Sequence, residues 1–317
     1  AAPGAATPGQ LVINGGTLAV TNSLTLAANR GLALGPASGS GTGTINVAAG
    51  KILSYTGTAA NNGGTGSLAK SGSGILILGG TNSYTGTTSI DGGKRLVGTG
   101  LASTAVSVNS CGTIQPGVLA TPGTATVNDL NLNGGTALFR LGTSSDQLVS
   151  TGTLTVSQPT VLSGVAISAL PSLPATFTLI DYTGTIDGLF EDLSFVPLNP
   201  HLAGTLQHDE GNTQINVEIS AAETITWTGA TDGNWDVDAT ANWVLDSDHT
   251  TASKYYDFDV VTFDNTGVSA QPVVTMVGTI TPTSVAVSNT TGTYTMQGAG
   301  IGGTASLAKS GAGGLTL

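Results

Sequence analysis

The chain has 317 residues, of which 47 are glycine, with 9% charged residues and a formal net charge of −11. So few charges set it apart from an ordinary globular protein, which carries about 25%, while a hydrophobic fraction of 39% is too high for a disordered tail. The acidic balance argues against binding nucleic acid by phosphate neutralisation, no apolar run reaches the roughly 18 residues of a membrane-spanning helix, and the single cysteine, Cys111, excludes an intramolecular disulfide.

The chain opens Ala1-Ala-Pro-Gly without a charged-then-apolar leader. A removed signal and an internal stretch of a longer protein both fit that start. Residues 1–180 then read as short apolar alternations broken by Gly-Gly turns, as in Leu11-Val-Ile-Asn-Gly-Gly-Thr-Leu-Ala-Val20 and Leu130-Asn-Leu-Asn-Gly-Gly-Thr-Ala-Leu-Phe139. Asn before Gly-Gly suits a turn that needs positive φ. Leu, Ile and Val at i and i+2 share one face of a strand. A hairpin meander and a parallel coil both produce this pattern. Strands of only three to five residues, with Leu, Ile and Val recurring at like positions after successive turns, favour the coil at about 22 residues per rung. No window carries a capped 3.6-residue stripe, so helix is expected to be scarce.

The strongest internal signal is a repeat. Ser67-Leu-Ala-Lys-Ser-Gly-Ser-Gly-Ile-Leu-Ile-Leu78 returns 239 residues later as Ser306-Leu-Ala-Lys-Ser-Gly-Ala-Gly-Gly-Leu-Thr-Leu317. The first copy runs on into Gly79-Gly-Thr-Asn-Ser-Tyr-Thr-Gly86, and the second stops, as a portion of something longer would. Between the copies, residues 171–223 carry Pro171, Pro174, Pro197 and Pro200 and read as rungs with longer loops. All three tryptophans then fall in Ile225-Thr-Trp-Thr-Gly-Ala-Thr-Asp-Gly-Asn-Trp-Asp-Val-Asp-Ala-Thr-Ala-Asn-Trp243, and 16 of the 19 acidic residues lie between Asp181 and Asp264. The predicted organisation is a β-helix block over 1–170, terminal rungs over 171–224, a Trp/Asp-rich junction over 225–265 and a second block starting within 266–317.

Residues Leu68 to Gly93 resemble the autotransporter-associated β-strand repeat, also called the passenger-associated transport repeat. Its pattern is a Leu-x-Lys-x-Gly-x-Gly-x-Leu-x-Leu strand, then Asn-x-Tyr-Thr-Gly, then a Gly-Gly turn. Lys70, Gly72, Gly74, Leu76, Leu78, Asn82, Tyr84, Thr85 and Gly86 match it position by position. Val106-Ser-Val-Asn-Ser-Cys-Gly-Thr-Ile-Gln-Pro-Gly117 is similar to the rung that usually follows, and the 227–264 block resembles the segment that precedes such repeats in long bacterial surface proteins. The resemblance implies an all-β, right-handed parallel β-helix, exported and displayed on a bacterial surface or released, with no catalytic residues. Two turns depart from the pattern. Cys111 stands where the family usually has glycine, and Lys94-Arg95 replaces Thr-Leu after Gly-Gly. A one-residue shift that puts Leu96 inside and both cations outside is preferred, because an unpaired buried Arg is costly.

Three constellations bear on chemistry. Asp257, Asp259 and Asp264, and likewise Asp232, Asp236 and Asp238, offer carboxylates that calcium would accept. Their spacing matches neither the EF-hand nor the Gly-Gly-x-Gly-x-Asp nonapeptide, so solvated loop acids are the preferred reading and no cofactor is expected. Trp227, Trp235 and Trp243 could stack on a sugar, against the simpler reading that they pack a junction core. His201, His208 and His249 have neither metal-ligand spacing nor a Ser or Cys partner legible in the sequence, and Asp91, Asp129 and Asp146 stand singly, so an enzyme is not expected. The expectation is a non-enzymatic extracellular structural or adhesive solenoid. Its partners are copies of itself or further repeats of one long chain, and surface glycans are the ligand class of the competing carbohydrate-binding or polysaccharide-processing reading. No nucleic-acid partner and no membrane span within this chain are expected.

Overall fold

A computed structural model describes residues 4–317 except 6, 92–93, 99–100, 102–104, 119–120, 168–172 and 198. Strand accounts for 56% of the chain and helix for 3%, and the parallel sheets coil as a β-solenoid of about 12 turns. The chain divides into two compact units, one of residues 1–198 with 204–218, the other of 199–203 with 219–317.

In the first unit each turn of chain lays one strand on each of up to three faces. One face stacks Thr17–Val20, Ser40–Val47, Thr65–Ser71, Thr88–Ile90, Val106–Asn109, Leu130–Asn133, Leu154–Gln158 and Ile186–Gly188. A second stacks eight strands from Leu24–Leu26 to Leu193–Pro197, and its neighbours pair in parallel along their described registers. The third face begins as Thr7–Ile13, Arg30–Leu34 and Ala59–Asn61, and is taken up later by Thr124–Val127, Gln147–Ser150 and Ala175–Tyr182. Gln214–Ala222 and Leu202–Asp209 close that last sheet.

Because the pairing is parallel and in register, like positions stack into columns. Leu53, Leu76, Leu96, Ile114, Ala137 and Leu162 form one, and all are buried. Each column removes one apolar strip from water at about 25 cal/mol per Å² of area buried. The expectation that Leu76, Leu78 and Leu96 point inward holds, at 0–1% exposure. The side chains of Lys94 and Arg95 lie outside the described residues. On the outside, polar side chains bridge rungs. Asn109 donates Nδ2 to Asp91 Oδ1 at 2.7 Å, Asn133 donates to Asn109 Oδ1 at 3.1 Å, and the Ser157 hydroxyl donates to Asn133 Oδ1 at 3.2 Å. The last two contacts join residues 24 apart in sequence, one rung.

The second unit has two sheets. In one, Thr224–Trp227, Val260–Phe263, Ser284–Val287 and Ser306–Lys309 pair in parallel, while Trp243–Leu245 and then Ala252–Ser253 add to its edge in antiparallel fashion. The other stacks Asn234–Trp235, Val273–Met276, Thr293–Gly298 and Gly314–Thr316 in parallel. The one α-helix among the described residues, Asn265–Ala270, is capped by Asp264, which accepts from Thr266 N. Its Gly267 lies against Trp227, where an added Cβ would come within 2.3 Å of the indole. The 225–265 segment and the strands after it share one core, comprising Ile225, the three tryptophans, Tyr255, Phe263, Val274, Val285, Tyr294 and their neighbours.

Candidate functional site

The repeated Ser-Leu-Ala-Lys-Ser-Gly builds the same turn twice. Lys70 occupies an inward position, with Ile45 on one side and Ile90 on the other, in a column that continues through Val108, Leu132 and Val156. Its aliphatic stem fills that column, and its ammonium leaves it at the turn, donating to Ser71 O at 2.8 Å and Gly72 O at 2.7 Å. Lys309 follows Phe263 and Val287 in the equivalent column and donates to Ser310 O and Gly311 O. Gly72 and Gly311 take φ of 71° and 72°, a region open to glycine at no steric cost.

Beyond Leu78 residues 81–87 alternate outward and buried positions without forming a strand, and the ladder resumes at Thr88. Their side chains replace the missing strand. Asn82 Oδ1 accepts from Ala59 N at 3.0 Å, and Asn82 Nδ2 donates to Gly80 O at 3.1 Å. Tyr84 is fully buried, with its hydroxyl 2.6 Å from Thr88 Oγ1. Burial pushes the Tyr84 phenol up to about 12, against a smaller downward pull from Thr88. Asn61 Oδ1 accepts from both Gly66 N and Thr85 N. The Lys, Asn, Tyr and Gly of the motif are thus the parts of one rung.

Cys111 is exposed and takes φ 59°, which explains why a glycine suits that turn.

The tryptophans are core residues at 0–1% exposure. Trp227 and Trp235 meet Trp243 edge-on at 5.0 and 5.4 Å, and Tyr255 meets Trp235 edge-on at 5.4 Å. No ring of the three presents a face for a sugar to stack on. The loop between the first two is held by Asn242, itself buried. Its Oδ1 accepts from Thr231 N and Asp232 N, and its Nδ2 donates to Asp232 Oδ1 and Asn234 O.

The six acids are each engaged separately. Asp232 accepts from Asn234 N and from Asn242, which hold its carboxyl below the usual range. Asp236 accepts from Thr240 N, and Asp238 from Lys254 Nζ and Tyr256 OH, the lysine contact first among those that lower its pKa. Asp257 accepts from Tyr255 OH and Thr281 N. Asp264 caps the helix. Asp259 is buried, which raises its pKa, while His201 pulls it back down. Among the described residues no group of three His, Cys, Asp or Glu is placed to hold a metal ion.

One expectation is corrected. His201 does have a serine partner: its Nε2 lies 3.0 Å from Ser253 Oγ, and its Nδ1 lies 2.9 Å from both oxygens of Asp259. The partners are 52 and 58 residues away in sequence, so no local spacing could reveal them. His208 meets Tyr182 OH at 2.7 Å and stacks on Phe190 at 5.2 Å, while His249 is solvent-facing near Asp246.

Residues 68–94 match the family model of the passenger-associated transport repeat. The comparison with curated proteins gave no match.

Proposed function

We propose that this chain is a structural or adhesive β-solenoid of an exported, surface-displayed passenger region. The observation that carries the reading is that the matched repeat is a working rung. Its Lys70, Asn82 and Tyr84 close a turn, replace a missing strand and plug the coil, so the motif is spent on architecture. The repeat rungs carry backbone hydrogen bonds and apolar columns, which supports a scaffolding role. The outer Asp91–Asn109–Asn133–Ser157 row supports mechanical cohesion along the coil.

The partners proposed are further rungs of the same kind, in the same chain or in a copy. Leu307 is 41% exposed where its counterpart Leu68 is buried beneath Thr88–Ile90, and that is the surface such a rung would cover.

The test is made on intact bacteria that produce the native protein. Antibodies against residues 1–317 should label unbroken cells, external protease should remove the label, and deleting the coding region should reduce retention of cells on a surface or on one another. Labelling that appears only after lysis would end the proposal.

A further inference from the structure

We propose that Ser253 is a nucleophile for acyl transfer from a short-chain ester, with His201 as its base and Asp259 as the positioning residue. The three belong to the second unit and come from three separate segments. His201 arrives on 199–203. That segment is pinned by Asn199, whose Nδ2 donates to Asp257 O at 2.6 Å and whose Oδ1 accepts from His201 N at 2.8 Å. Asp259 has a fully buried side chain and also accepts from Tyr256 N at 2.8 Å, so its oxygens are fixed. The ring of Tyr256 meets the imidazole edge-on at 4.7 Å and sets its plane.

A carboxylate against Nδ1 keeps the imidazole proton on that nitrogen. Nε2 is then the acceptor, and the Ser253 hydroxyl, 3.0 Å from Nε2 and 3.3 Å from Lys254 O, donates to the nearer of the two. That is the tautomer in which a serine can be activated. Ser253 is half-buried on the edge strand of its sheet, next to the exposed Ala252. The hydrogen bond from Leu245 N to Thr251 O sets the phase of the antiparallel ladder. Trp243 and Ser253 are therefore the next hydrogen-bonded pair, and the strand ends there, with Lys254 following. A backbone N–H from the residue after the nucleophile is where an oxyanion donor is useful. Ser253 shares a sheet face with the buried Trp243, which crowds the space beside its hydroxyl and favours a short acyl chain.

In the reaction, Ser253 Oγ bonds the ester carbonyl carbon as its proton moves to His201 Nε2. The ester C–O bond breaks, and that proton leaves on the alcohol. Water then attacks the acyl-serine, gives a proton through Nε2 back to Oγ, and releases the acid. Ester plus water become acid plus alcohol, with no change of oxidation state.

The competing role is structural, since the same bonds tie 199–203 to the unit. A fluorophosphonate probe and p-nitrophenyl acetate separate the two, applied to the whole 317-residue chain. The probe should label one site, mapped to Ser253 by peptide mass spectrometry, and the ester should turn over. Ser253→Ala should abolish both, and His201→Gln should lower both by about 100-fold or more. Asp259→Asn should slow labelling at least tenfold with the circular dichroism spectrum kept, a loss that a purely structural role would not give. If His201→Gln unfolds, Ser253→Ala decides alone. Native-like chain that stays unlabelled, labelling at another residue, or wild-type ester turnover in Ser253→Ala would overturn the assignment.

Discussion

Asn82→Ala is the sharpest probe of how the repeat holds the coil. The three-stranded face ends at Ala59–Asn61, and the next rung offers no strand there. Asn82 Oδ1 is the acceptor for Ala59 N, and Ala59 is fully buried. Truncation leaves that N–H without a partner in a dry site, at about 1–3 kcal/mol. The lost bond to Gly80 O, where the glycine is half-buried and water can substitute, adds about 0.5–1 kcal/mol. The expected cost is therefore roughly 1.5–4 kcal/mol. With a urea m-value of about 3 kcal/mol/M, the midpoint should fall by roughly 0.5–1.3 M. Thr85→Ala is the control. It deletes the exposed bond from Asn61 Nδ2 to Thr85 Oγ1, and should cost under about 0.5 kcal/mol. Urea unfolding followed by circular dichroism gives the totals. Amide exchange locates them, since a solenoid loses stability rung by rung. The loss of protection should centre on Ala59 and its neighbours. If Asn82→Ala lies within 0.5 kcal/mol of Thr85→Ala, the side-chain amide is not replacing the ladder and the reasoning fails.

Four other expectations follow from the same contacts. Arg140→Met should cost about 3–5 kcal/mol in urea unfolding, because it strips the two-pronged ion pair at 2.8 Å from buried Asp146. Trp227→Phe breaks the bond from Nε1 to Gln271 O at 3.1 Å, whereas Trp235 Nε1 has no partner among the described residues; at equal lost volume, Trp227→Phe should be the more destabilising by about 1 kcal/mol. Burial raises the Tyr84 phenol to about 12, so the stability it contributes is whole below the unfolded value near 10 and is lost as pH rises through 12; ultraviolet titration should show its ionisation only as the fold opens, and a free phenol titrating near 10 would refute the burial. Cys111→Gly should stabilise by about 1 kcal/mol, by relieving a side chain held at φ 59°.

The parallel coil could be read from the chain because its rule is local. An apolar residue at i and i+2 followed by a Gly-bearing turn puts Leu76 and Leu78 on one face, and in-register repetition places Leu96 and Ile114 over Leu76. Tyr84 and Asn82 were identifiable as motif positions, but their tasks were not. The sequence shows a Tyr four residues before a Thr; only the closed coil shows that both are buried and bonded. The glycine preference at Cys111 was legible as a departure from pattern, and the positive φ supplies its cause.

The second unit was harder to read, for a physical reason. Its strands keep a rung spacing, but the contacts of the 199–203 and 228–259 loops do not. The acids at 232–238 and at 257–264 read as two groups, yet each acid finds its own donors within a few residues or across a loop, so proximity in sequence becomes dispersal in space. His201, with nothing chemical beside it in the chain, gains Asp259 and Ser253 because Asn199 anchors its segment to the 257–259 turn. A repeat places residues by counting, which a reader of sequence can do. A site assembled from a returning segment depends on where that segment docks. For Lys70 and Lys309 the count suffices, and both clasp the carbonyls of their own turn whether buried or exposed. For His201 the docking decides everything, so the chemistry proposed here rests on residues that the repeat does not include.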